Sequence, residues 1–492
     1  MRVEILNNYN ERNIVQVKSE NELMKKIGEF FLESFNDNLN NSVKIEAYNQ
    51  DLNSLLASFE FKGRGSFLDK EGNKIPSMHC MKSYYVGGLP RTPYKTKELR
   101  CINLLGNNYK KYILCGTETS DLDAKYGSID VPLENCRNVK YESYMYWILF
   151  YEKLSKGYVD CSNVFKNSIK VEGEKISGSS NPKNANEELY KVLYDFSNGV
   201  VQSVLVSQIV TVKQCQKARK LFEELKEKKT VKGFNTQLSK LMLISPRKRD
   251  PFAGDKIADY SAKSIQDFES IIDFEETLLL SMETVAGMNS VEEEKASKTK
   301  SPSFLSQNIE VYETTKEQKE IVMKHLNYSL QQKVKKVYRV IPNAQNKKFN
   351  DYCKDNNINN VKLLWHGSPN GNWFSILTNS LKITKNAAHG RMFGDGIYFA
   401  PSADKSWGYT SSYGSRWANG NSSQAIMGLY ATAYGTPYMV NTWGSSYENE
   451  ASIKRKGCNC LHATPSNTGL RADEIIYYNE NAVCLNYIVI FG

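Results

Sequence analysis

The sequence predicts an α+β protein in which strand-rich segments lie on both sides of a helical segment. Two β-prone runs, Lys110–Cys115 and Val334–Val340, indicate the strand-rich parts, and the second should be the first strand of the C-terminal part. Between them, apolar residues recur at helical spacing from residue 186 to residue 288. The chain has 492 residues, which exceeds one ordinary hydrophobic core, so we expect several domains.

The first 80 residues contain one clear helical pattern. In Glu20–Phe35, apolar residues recur at the spacing of an amphipathic helix, and an alternating segment, Val43–Ala47, follows. No motif in residues 1–80 indicates an activity. We therefore treat them as a separate N-terminal region of unknown role.

Residues 81–165 combine strand and helix signals within a short segment. Lys110–Cys115 indicates a strand, Ala124–Asp130 indicates a turn, and Tyr141–Lys153 indicates a helix. This order predicts a small α/β domain.

Residues 186–300 indicate a helical bundle that follows a linker. The linker, residues 166–185, is rich in Ser, Gly and Asn. Pro246 interrupts the helical pattern because proline cannot continue a helix. Periodic apolar residues predict these helical segments: Leu189–Phe196, Val200–Ile209, Cys215–Lys228, Phe234–Leu243 and Ile265–Val285.

Residues 301–492 contain three motifs. Lys362–Ser368 is an apolar run that leads into His-Gly-Ser, and a strand that ends in polar residues places reactive side chains at a sheet edge. Gly390–Ala400 contains glycines that permit positive φ angles and close approach of a ligand. It ends in a β-prone run whose alternation places Tyr398 opposite its two apolar neighbours. The third motif, Asp473–Tyr478, has a glutamate at the start of a β-prone run.

These three motifs together resemble the catalytic domain of the poly(ADP-ribose) polymerases (PARPs), which are NAD-consuming ADP-ribosyltransferases. The resemblance covers residues 360–491 and implies an antiparallel-sheet domain without a Rossmann glycine motif. It implies that His366 hydrogen-bonds the ribose of NAD, that Tyr398 stacks on the nicotinamide, and that Glu474 polarises the ribose hydroxyl or the acceptor. Members that keep this glutamate usually elongate chains, so the resemblance implies poly(ADP-ribose) synthesis.

The resemblance also implies further NAD-binding residues. They hold the nicotinamide amide, close the ring sandwich, line the site or contact the adenosine half, and they are Gly367, Ser368, Asn372, Lys382, Lys405, Ser406 and Tyr409. Lys382 stands where many members have an arginine, so the charge is kept and the bidentate fork is lost. NAD is thus the implied substrate.

We expect no metal site. Cys458, Cys460 and His462 alternate along one segment, but the usual spacing of two residues between cysteines and a clear fourth ligand are both missing. Chance placement in the loop Lys456–Ala472 is the favoured interpretation.

Two upstream segments resemble other PARP modules. The order of elements in residues 81–165 is similar to the WGR domain, which many PARPs use to read DNA ends. The Trp-Gly-Arg that names this domain is Tyr126-Gly127-Ser128 here, so the arginine is missing and the match is degenerate. The bundle at residues 186–300 is similar to the PARP regulatory helical domain, which packs on the catalytic domain and restrains NAD access.

The resemblance implies an NAD-dependent protein ADP-ribosyltransferase that polymerises ADP-ribose onto protein acceptors, including itself, with DNA breaks as an expected stimulus. Three alternatives stay open: a mono-ADP-ribosyltransferase, a nucleic-acid-modifying or defence ADP-ribosyltransferase, and a non-enzymatic NAD- or DNA-binding scaffold. Product size distinguishes the first alternative and the acceptor distinguishes the second. The presence of His366, Tyr398 and Glu474 together argues against the third.

Composition indicates an ordinary globular protein inside a cell. No apolar run is long enough to span a membrane, and the first residues lack the apolar core of a signal peptide, so we expect no membrane partner. The ten scattered cysteines are typical of a reducing compartment. The formal net charge of +10 favours a polyanionic partner such as DNA. We expect the nucleus in a eukaryotic host, and the cytoplasm or nucleoid in a bacterial host.

Overall fold

The computed structural model of the chain describes residues 1–69, 71–116, 121–162, 184–207, 209–248, 260–295, 308–383, 392–411, 423–442 and 448–492. Most of the predicted linker, residues 166–183, lies outside the described residues, as do residues 390 and 391 of the second motif.

The chain divides into two compact units. The N-terminal unit comprises Met1–Glu174, Val204–Ile209 and Gln216–Ile265. The C-terminal unit comprises Lys175–Ser203, Val210–Cys215 and Gln266–Gly492.

The N-terminal unit contains two five-stranded antiparallel sheets. Its strands are β1 (Arg2–Asn7), β2 (Arg12–Gln16), β3 (Ser42–Asn49), β4 (Ser54–Leu68), β5 (Lys74–Tyr85), β6 (Lys97–Asn103), β7 (Asn108–Cys115), β8 (Asp121–Ser128), β9 (Arg137–Glu142) and β10 (Val159–Asp160). The first sheet has the order β2-β1-β3-β4-β5 and the second has the order β10-β6-β7-β8-β9. One apolar core includes residues from both sheets, for example Phe61 of β4 and Leu114 of β7.

The helices of the first 295 residues are α1 (Glu20–Asn38), α2 (Met145–Ser155), α3 (Ala185–Val204), α4 (Val212–Lys226), α5 (Val231–Ile244) and α6 (Phe268–Lys295). Ser19 caps α1 by accepting a hydrogen bond from the N–H of Glu22. Most of α4 and all of α5 belong to the N-terminal unit, whereas most of α3 and all of α6 belong to the C-terminal unit. The assignment of residues 186–300 to one regulatory domain therefore stays a prediction.

The C-terminal unit also contains two sheets. Its strands are β11 (Ile309–Glu313), β12 (Val334–Pro342), β13 (Val361–Gly367), β14 (Ile397–Phe399), β15 (Ala425–Ala433), β16 (Pro437–Thr442), β17 (Cys460–Asn467), β18 (Glu474–Tyr477) and β19 (Val483–Phe491). The orders are β11-β12-β19-β15-β13 and β14-β18-β17-β16. The predicted antiparallel architecture is confirmed for every described pair except β16 and β17, which are parallel.

The remaining helices all lie in the C-terminal unit, and they are α7 (Lys316–Lys324), α8 (Tyr328–Gln331), α9 (Asn343–Asp355), α10 (Trp373–Asn379), α11 (Ala403–Trp407) and α12 (Glu450–Arg455). The connection from β16 to β17 contains α12, as a parallel pair requires a crossover. All side chains of β15 are buried, so both faces of its sheet are covered. No helix among the described residues is long and apolar enough to span a membrane.

Two predicted elements of the N-terminal unit are wrong in kind or extent. Residues 124–130, predicted as a turn, mostly form β8, because Tyr126 pairs across strands with Tyr112 and the two rings stack with centroids 5.8 Å apart. The helix predicted from Tyr141 begins at Met145, because Tyr141 belongs to β9. Aromatic residues suit both strands and helices, so their spacing alone misplaced this boundary.

Three predictions closer to the C-terminus also need correction. The two helices predicted before residue 209 are one helix, α3, which continues through Gly199 because Ser197 and Val201 are buried on either side of it. Val334–Val340 is not the first strand of its sheet, since β11 precedes it and pairs with it. The predicted loop 456–472 contains β17.

Candidate active site

His366 lies where the two sheets of the C-terminal unit meet. Along one edge, β13 pairs with β15, and His366 stands opposite Gly428. On the other edge, the N–H of Trp365 donates to the carbonyl of Ala400 at 2.9 Å, and the N–H of Ala400 donates back at 3.0 Å. Because Ala400 directly follows β14, this bridge brings the strand that carries His366 beside the strand that carries Tyr398.

The His366 ring is held in one tautomer. Its Nδ1 lies 3.1 Å from the carbonyl oxygen of Tyr398. A carbonyl only accepts hydrogen bonds, so Nδ1 carries the proton and Nε2 is left with a lone pair. Burial lowers the pKa of His366 to about 4, although the bond to Tyr398 raises it in part. The imidazole is therefore neutral at pH 7, and no described residue bonds its Nε2.

Tyr398 connects β14 to the glycine-containing loop before it. Its hydroxyl donates to the carbonyl of Gly394 at 3.0 Å and accepts from the N–H of Phe393 at 3.1 Å. Gly394 has a φ of +104°, and a Cβ at this position would lie 2.1 Å from the carbonyl oxygen of Glu448. A glycine is therefore required here, as the glycine-rich second motif predicts.

Glu474 opens β18, as the third motif predicts, and forms an ion pair with Lys405 of α11. The Nζ of Lys405 lies 2.7 Å from Oε1 of Glu474, and the two side chains are 20% and 9% exposed. β18 also pairs with β14, so Glu474 and Tyr398 lie on neighbouring strands of one sheet. The structure thus places the three predicted catalytic residues on two adjoining sheets.

Gly367, Ser406 and Tyr409 are brought together by backbone contacts. A Cβ on Gly367 would lie 1.9 Å from the carbonyl oxygen of Ser406, so only glycine permits this approach. The hydroxyl of Ser406 donates to the carbonyl of Trp365 at 3.0 Å, and the N–H of Tyr409 donates to the Ser406 carbonyl at 3.1 Å. Burial and the charge of Glu474 raise the pKa of Tyr409, which places this tyrosine within the electrostatic reach of Glu474.

The predicted adenosine-side residues are less tightly grouped. Nδ2 of Asn372 donates to the hydroxyl of Ser368 at 3.1 Å. The buried Oδ1 of Asn372 has no hydrogen-bond partner among the described residues, so it can accept a hydrogen bond from a ligand. Lys382 is exposed and forms an ion pair with Glu480 at 2.9 Å.

Sequence reasoning missed two residues that support this site. The indole N–H of Trp373 donates to the carbonyl of Ser368 at 3.1 Å, and the hydroxyl of Ser411 accepts from the N–H of Asn370 at 2.8 Å. The sequence feature that could have indicated Trp373 is a large aromatic residue directly after the polar segment Ser368–Asn372. Among the described residues, no group of three or more His, Cys, Asp or Glu side chains could hold a metal ion.

The arrangement can bind a polar ligand and stabilise positive charge. Among the described residues, Nε2 of His366 and Oδ1 of Asn372 have no partner, and the carboxylate of Glu474 has acceptor capacity beyond its bond to Lys405. Amide and hydroxyl groups of the nicotinamide and ribose of NAD suit these partners. The residues present therefore fit NAD.

Comparison with known proteins agrees with this geometry. The model of the poly(ADP-ribose) polymerase catalytic domain matches residues 310–431. A poly(ADP-ribose) polymerase-like protein of Invertebrate iridescent virus 6 is 28% identical over 186 residues, which cover 35% of this chain and 96% of the viral protein.

Two animal relatives match over shorter shares of their own length. The poly(ADP-ribose) polymerase of Drosophila melanogaster is 32% identical over 162 residues, or 32% of this chain and 15% of that protein. Poly(ADP-ribose) polymerase 2 of Homo sapiens is 48% identical over 54 residues, or 11% of this chain and 9% of that protein. The chain thus contains, over residues 310–431, a catalytic domain of the poly(ADP-ribose) polymerase type, which is an ADP-ribosyltransferase domain that uses NAD as substrate.

Proposed function

We propose that this chain transfers ADP-ribose from NAD to protein acceptors, including itself, and polymerises it. The observation that carries the proposal is the carboxylate of Glu474, held by Lys405 in a mostly buried site on the strand beside Tyr398. By resemblance, a carboxylate here polarises the ribose 2′-hydroxyl that becomes the acceptor during elongation. Glu474 lies beyond the matched residues 310–431, so its role rests on its motif and its position.

The chemistry assigns a separate task to each predicted catalytic residue. Cleavage of the bond between nicotinamide and ribose releases a neutral group and passes through an oxocarbenium-like state. Nε2 of His366 accepts a hydrogen bond from a ribose hydroxyl, and the Tyr398 ring stacks on the nicotinamide. The negative charge of Glu474 stabilises the developing cation, because charge interactions are strong in a site with little water.

We infer that helices α3 and α6 act as the regulatory helices that restrain NAD access. The hydroxyl of Ser197 on α3 donates to the carbonyl of Gly371 at 3.3 Å. A Cβ on Gly371 would lie 2.5 Å from the hydroxyl oxygen of Ser281 on α6. Both helices thus contact the residue beside Asn372, whose buried Oδ1 has no hydrogen-bond partner among the described residues.

We also propose that DNA breaks stimulate the enzyme through the second sheet of the N-terminal unit. Tyr126 and Gly127 stand at the end of β8, and by resemblance they correspond to the tryptophan and glycine that name the WGR domain. Arg137 supplies a positive charge beside the position where the arginine of the motif is missing. It is exposed on β9 and pairs across strands with Tyr126, and its guanidinium lies 5.7 Å from the centre of the Tyr126 ring. The net charge of +10 is consistent with a DNA partner. In a eukaryotic host, we propose that the protein acts in the nucleus.

The test is incubation of purified protein with labelled NAD, with and without nicked DNA, beside Glu474→Gln and His366→Ala. We expect a high-molecular-weight ladder that increases with DNA, single units from Glu474→Gln and no product from His366→Ala. Single units from the unchanged protein would show mono-ADP-ribosylation, and label on the DNA would show a nucleic-acid acceptor. Binding of NAD without product would show a scaffold.

A further inference from the structure

A hydrogen-bonded chain of three side chains lies one residue away from Glu474. The hydroxyl of Tyr434 is 2.7 Å from Nδ1 of His462, and Nε2 of His462 is 2.8 Å from Oδ2 of Asp473. We refer to these residues as the Tyr434–His462–Asp473 chain. Tyr434 is buried, and the exposed fractions of the His462 and Asp473 side chains are 12% and 37%.

The acceptor properties of the partners assign the proton positions for a neutral His462 beside an ionised Asp473. An ionised Asp473 only accepts hydrogen bonds, so Nε2 of His462 must donate to it. A neutral imidazole then has its lone pair on Nδ1, which accepts from the Tyr434 hydroxyl. Both ring nitrogens of His462 are therefore bonded, whereas the described residues give His366 a partner only at Nδ1.

The Tyr434–His462–Asp473 chain joins the two sheets that carry the predicted catalytic residues. Tyr434 directly follows β15, which pairs with β13. The ammonium of Lys362, on the same strand as His366, lies 3.5 Å from the centre of the Tyr434 ring. At the other end, Asp473 is covalently joined to Glu474. The connection thus runs from the strand of His366 to the first residue of β18.

The position of His462 matters because strand pairing ends beside it. β17 and β18 pair at Leu461–Ile476, His462–Ile475 and Ala463–Glu474. Glu474 is thus the last paired residue of β18 on this side. Strand pairing does not fix the backbone of Asp473, which precedes it. The hydrogen bond from His462 to Asp473 holds the backbone one residue beyond the end of the strand pairing.

We propose that His462 is a positioning residue for ADP-ribosyl transfer, and that the Tyr434–His462–Asp473 chain fixes Glu474 relative to His366. This inference rests on the proposed role of Glu474. An error of about 1 Å in the placement of a reacting group can reduce the rate about 100-fold. His462 itself need not touch NAD or the acceptor for its loss to have that effect.

The thiols near His462 do not compete for it. The Sγ of Cys460 donates to the carbonyl of Tyr434 at 3.4 Å, and that of Cys458 donates to the carbonyl of Lys456 at 3.4 Å. Cys458, Cys460 and His462 therefore have separate hydrogen-bond partners. His462 serves as a structural link between the strands that carry the predicted catalytic residues.

The test compares kcat and the KM for NAD in His462→Ala, Tyr434→Phe, Asp473→Ala and Asp473→Asn. We expect His462→Ala to reduce kcat about 10- to 100-fold, with the KM for NAD within about twofold because NAD contacts remain. Tyr434→Phe keeps the ring over Lys362 and removes one hydrogen bond, so we expect a loss of about 3- to 10-fold. Asn can still accept from Nε2, so Asp473→Asn should recover part of the activity that Asp473→Ala loses.

The control is Tyr312→Phe, which removes a tyrosine hydroxyl bonded to Glu310 on the edge strand β11 and should leave kcat unchanged. A double variant, Tyr434→Phe with Asp473→Ala, should lose less than the product of the two single losses, because both act through His462. Unchanged kcat in His462→Ala would overturn this inference alone, provided that the unchanged protein is active and Glu474→Gln is slowed and makes only single units. A kcat loss that disappears on cooling below the unfolding transition would also overturn it. Full activity of Glu474→Gln would instead overturn the proposed function.

Discussion

Two buried glutamates, one in each unit, face lysines but differ in how many partners they have. Glu152, on α2 of the N-terminal unit, is 5% exposed and accepts from Lys156 at 2.6 Å and Lys153 at 3.1 Å. It also accepts from the N–H of Cys80 at 2.9 Å. Glu474, in the C-terminal unit, is 9% exposed. Among the described residues, its ion-pair partner is Lys405 at 2.7 Å.

The difference teaches how to separate a structural carboxylate from a reactive one. A carboxylate has about four acceptor positions, so a glutamate with three donors has little capacity left for a ligand. Glu474 has more capacity left, and a ligand or acceptor can use it. Two histidines of the C-terminal unit follow the same rule: both nitrogens of His462 are bonded, while Nε2 of His366 has no partner in the described part of the chain.

The largest expected effect is that of Glu474→Gln on catalysis. Gln keeps the size and removes the charge that stabilises the transition state, so we expect the transfer rate to fall about 100- to 1,000-fold. The measurement is the initial rate of nicotinamide release from NAD. The melting temperature should change little, because Lys405 is 20% exposed and water can solvate its charge, whereas Glu152 neutralises two lysines that are 14% and 8% exposed.

The matched change in the other unit, Glu152→Gln, should have the opposite profile. It leaves Lys156 and Lys153 without their buried counter-ion, so we expect a loss of about 3–5 kcal/mol in the free energy of unfolding. The DNA-independent rate per folded molecule should not change. Urea denaturation followed by circular dichroism measures the first quantity. A stable Glu152→Gln with a lowered basal rate would break the comparison, because Glu152 would then act in catalysis.

The protonation of His366 sharpens the comparison through pH. Its pKa of about 4 in the folded chain lies below the ordinary value of 6.5. The neutral ring thus contributes stability that is fully present above pH 6.5 and is lost as the pH falls toward 4. We expect the NMR signal of His366, identified by its absence in His366→Ala, to titrate below pH 5. A midpoint near 6.5 would contradict the buried, carbonyl-bonded geometry.

The sequence was sufficient for the catalytic strands because their motifs combine residue type with spacing. His366, Tyr398 and Glu474 each lie on the strand that their motif predicted, and the faces of β14 follow from simple alternation. Which sheets these strands join, and the bridge between Trp365 and Ala400, depend on contacts between residues far apart in the chain. No local pattern encodes such contacts.

The failures of sequence reasoning have the same origin. Tyr126 lies in a strand because Tyr112 of another strand stacks on it, and local turn residues could not reveal that partner. The sequence pattern groups His462 with Cys458 and Cys460, its neighbours along the chain. Its actual partners, Tyr434 and Asp473, are 28 and 11 residues away.

The smallest expected effect tests an exposed counterpart of the Lys405–Glu474 pair. Lys382 and Glu480 form an ion pair at 2.9 Å with side chains 56% and 34% exposed. Water screens such a pair, so Lys382→Ala should change the free energy of unfolding by less than about 1 kcal/mol. If Lys382 contacts the adenosine half of NAD, as the resemblance implies, the KM for NAD should rise about threefold, as expected for one exposed charge contact.

Lys382→Arg completes this test because it restores the charge and adds a bidentate fork. A KM at or below that of the unchanged protein would assign the lysine to NAD binding, and raising the salt concentration should reduce the difference between the variants. An identical KM in all three proteins would assign Lys382 only to Glu480. In that case Lys382 and Glu480 would have a structural role, as Glu152 does. Free acceptor capacity, and not burial, would then distinguish the reactive Glu474 from the structural carboxylates.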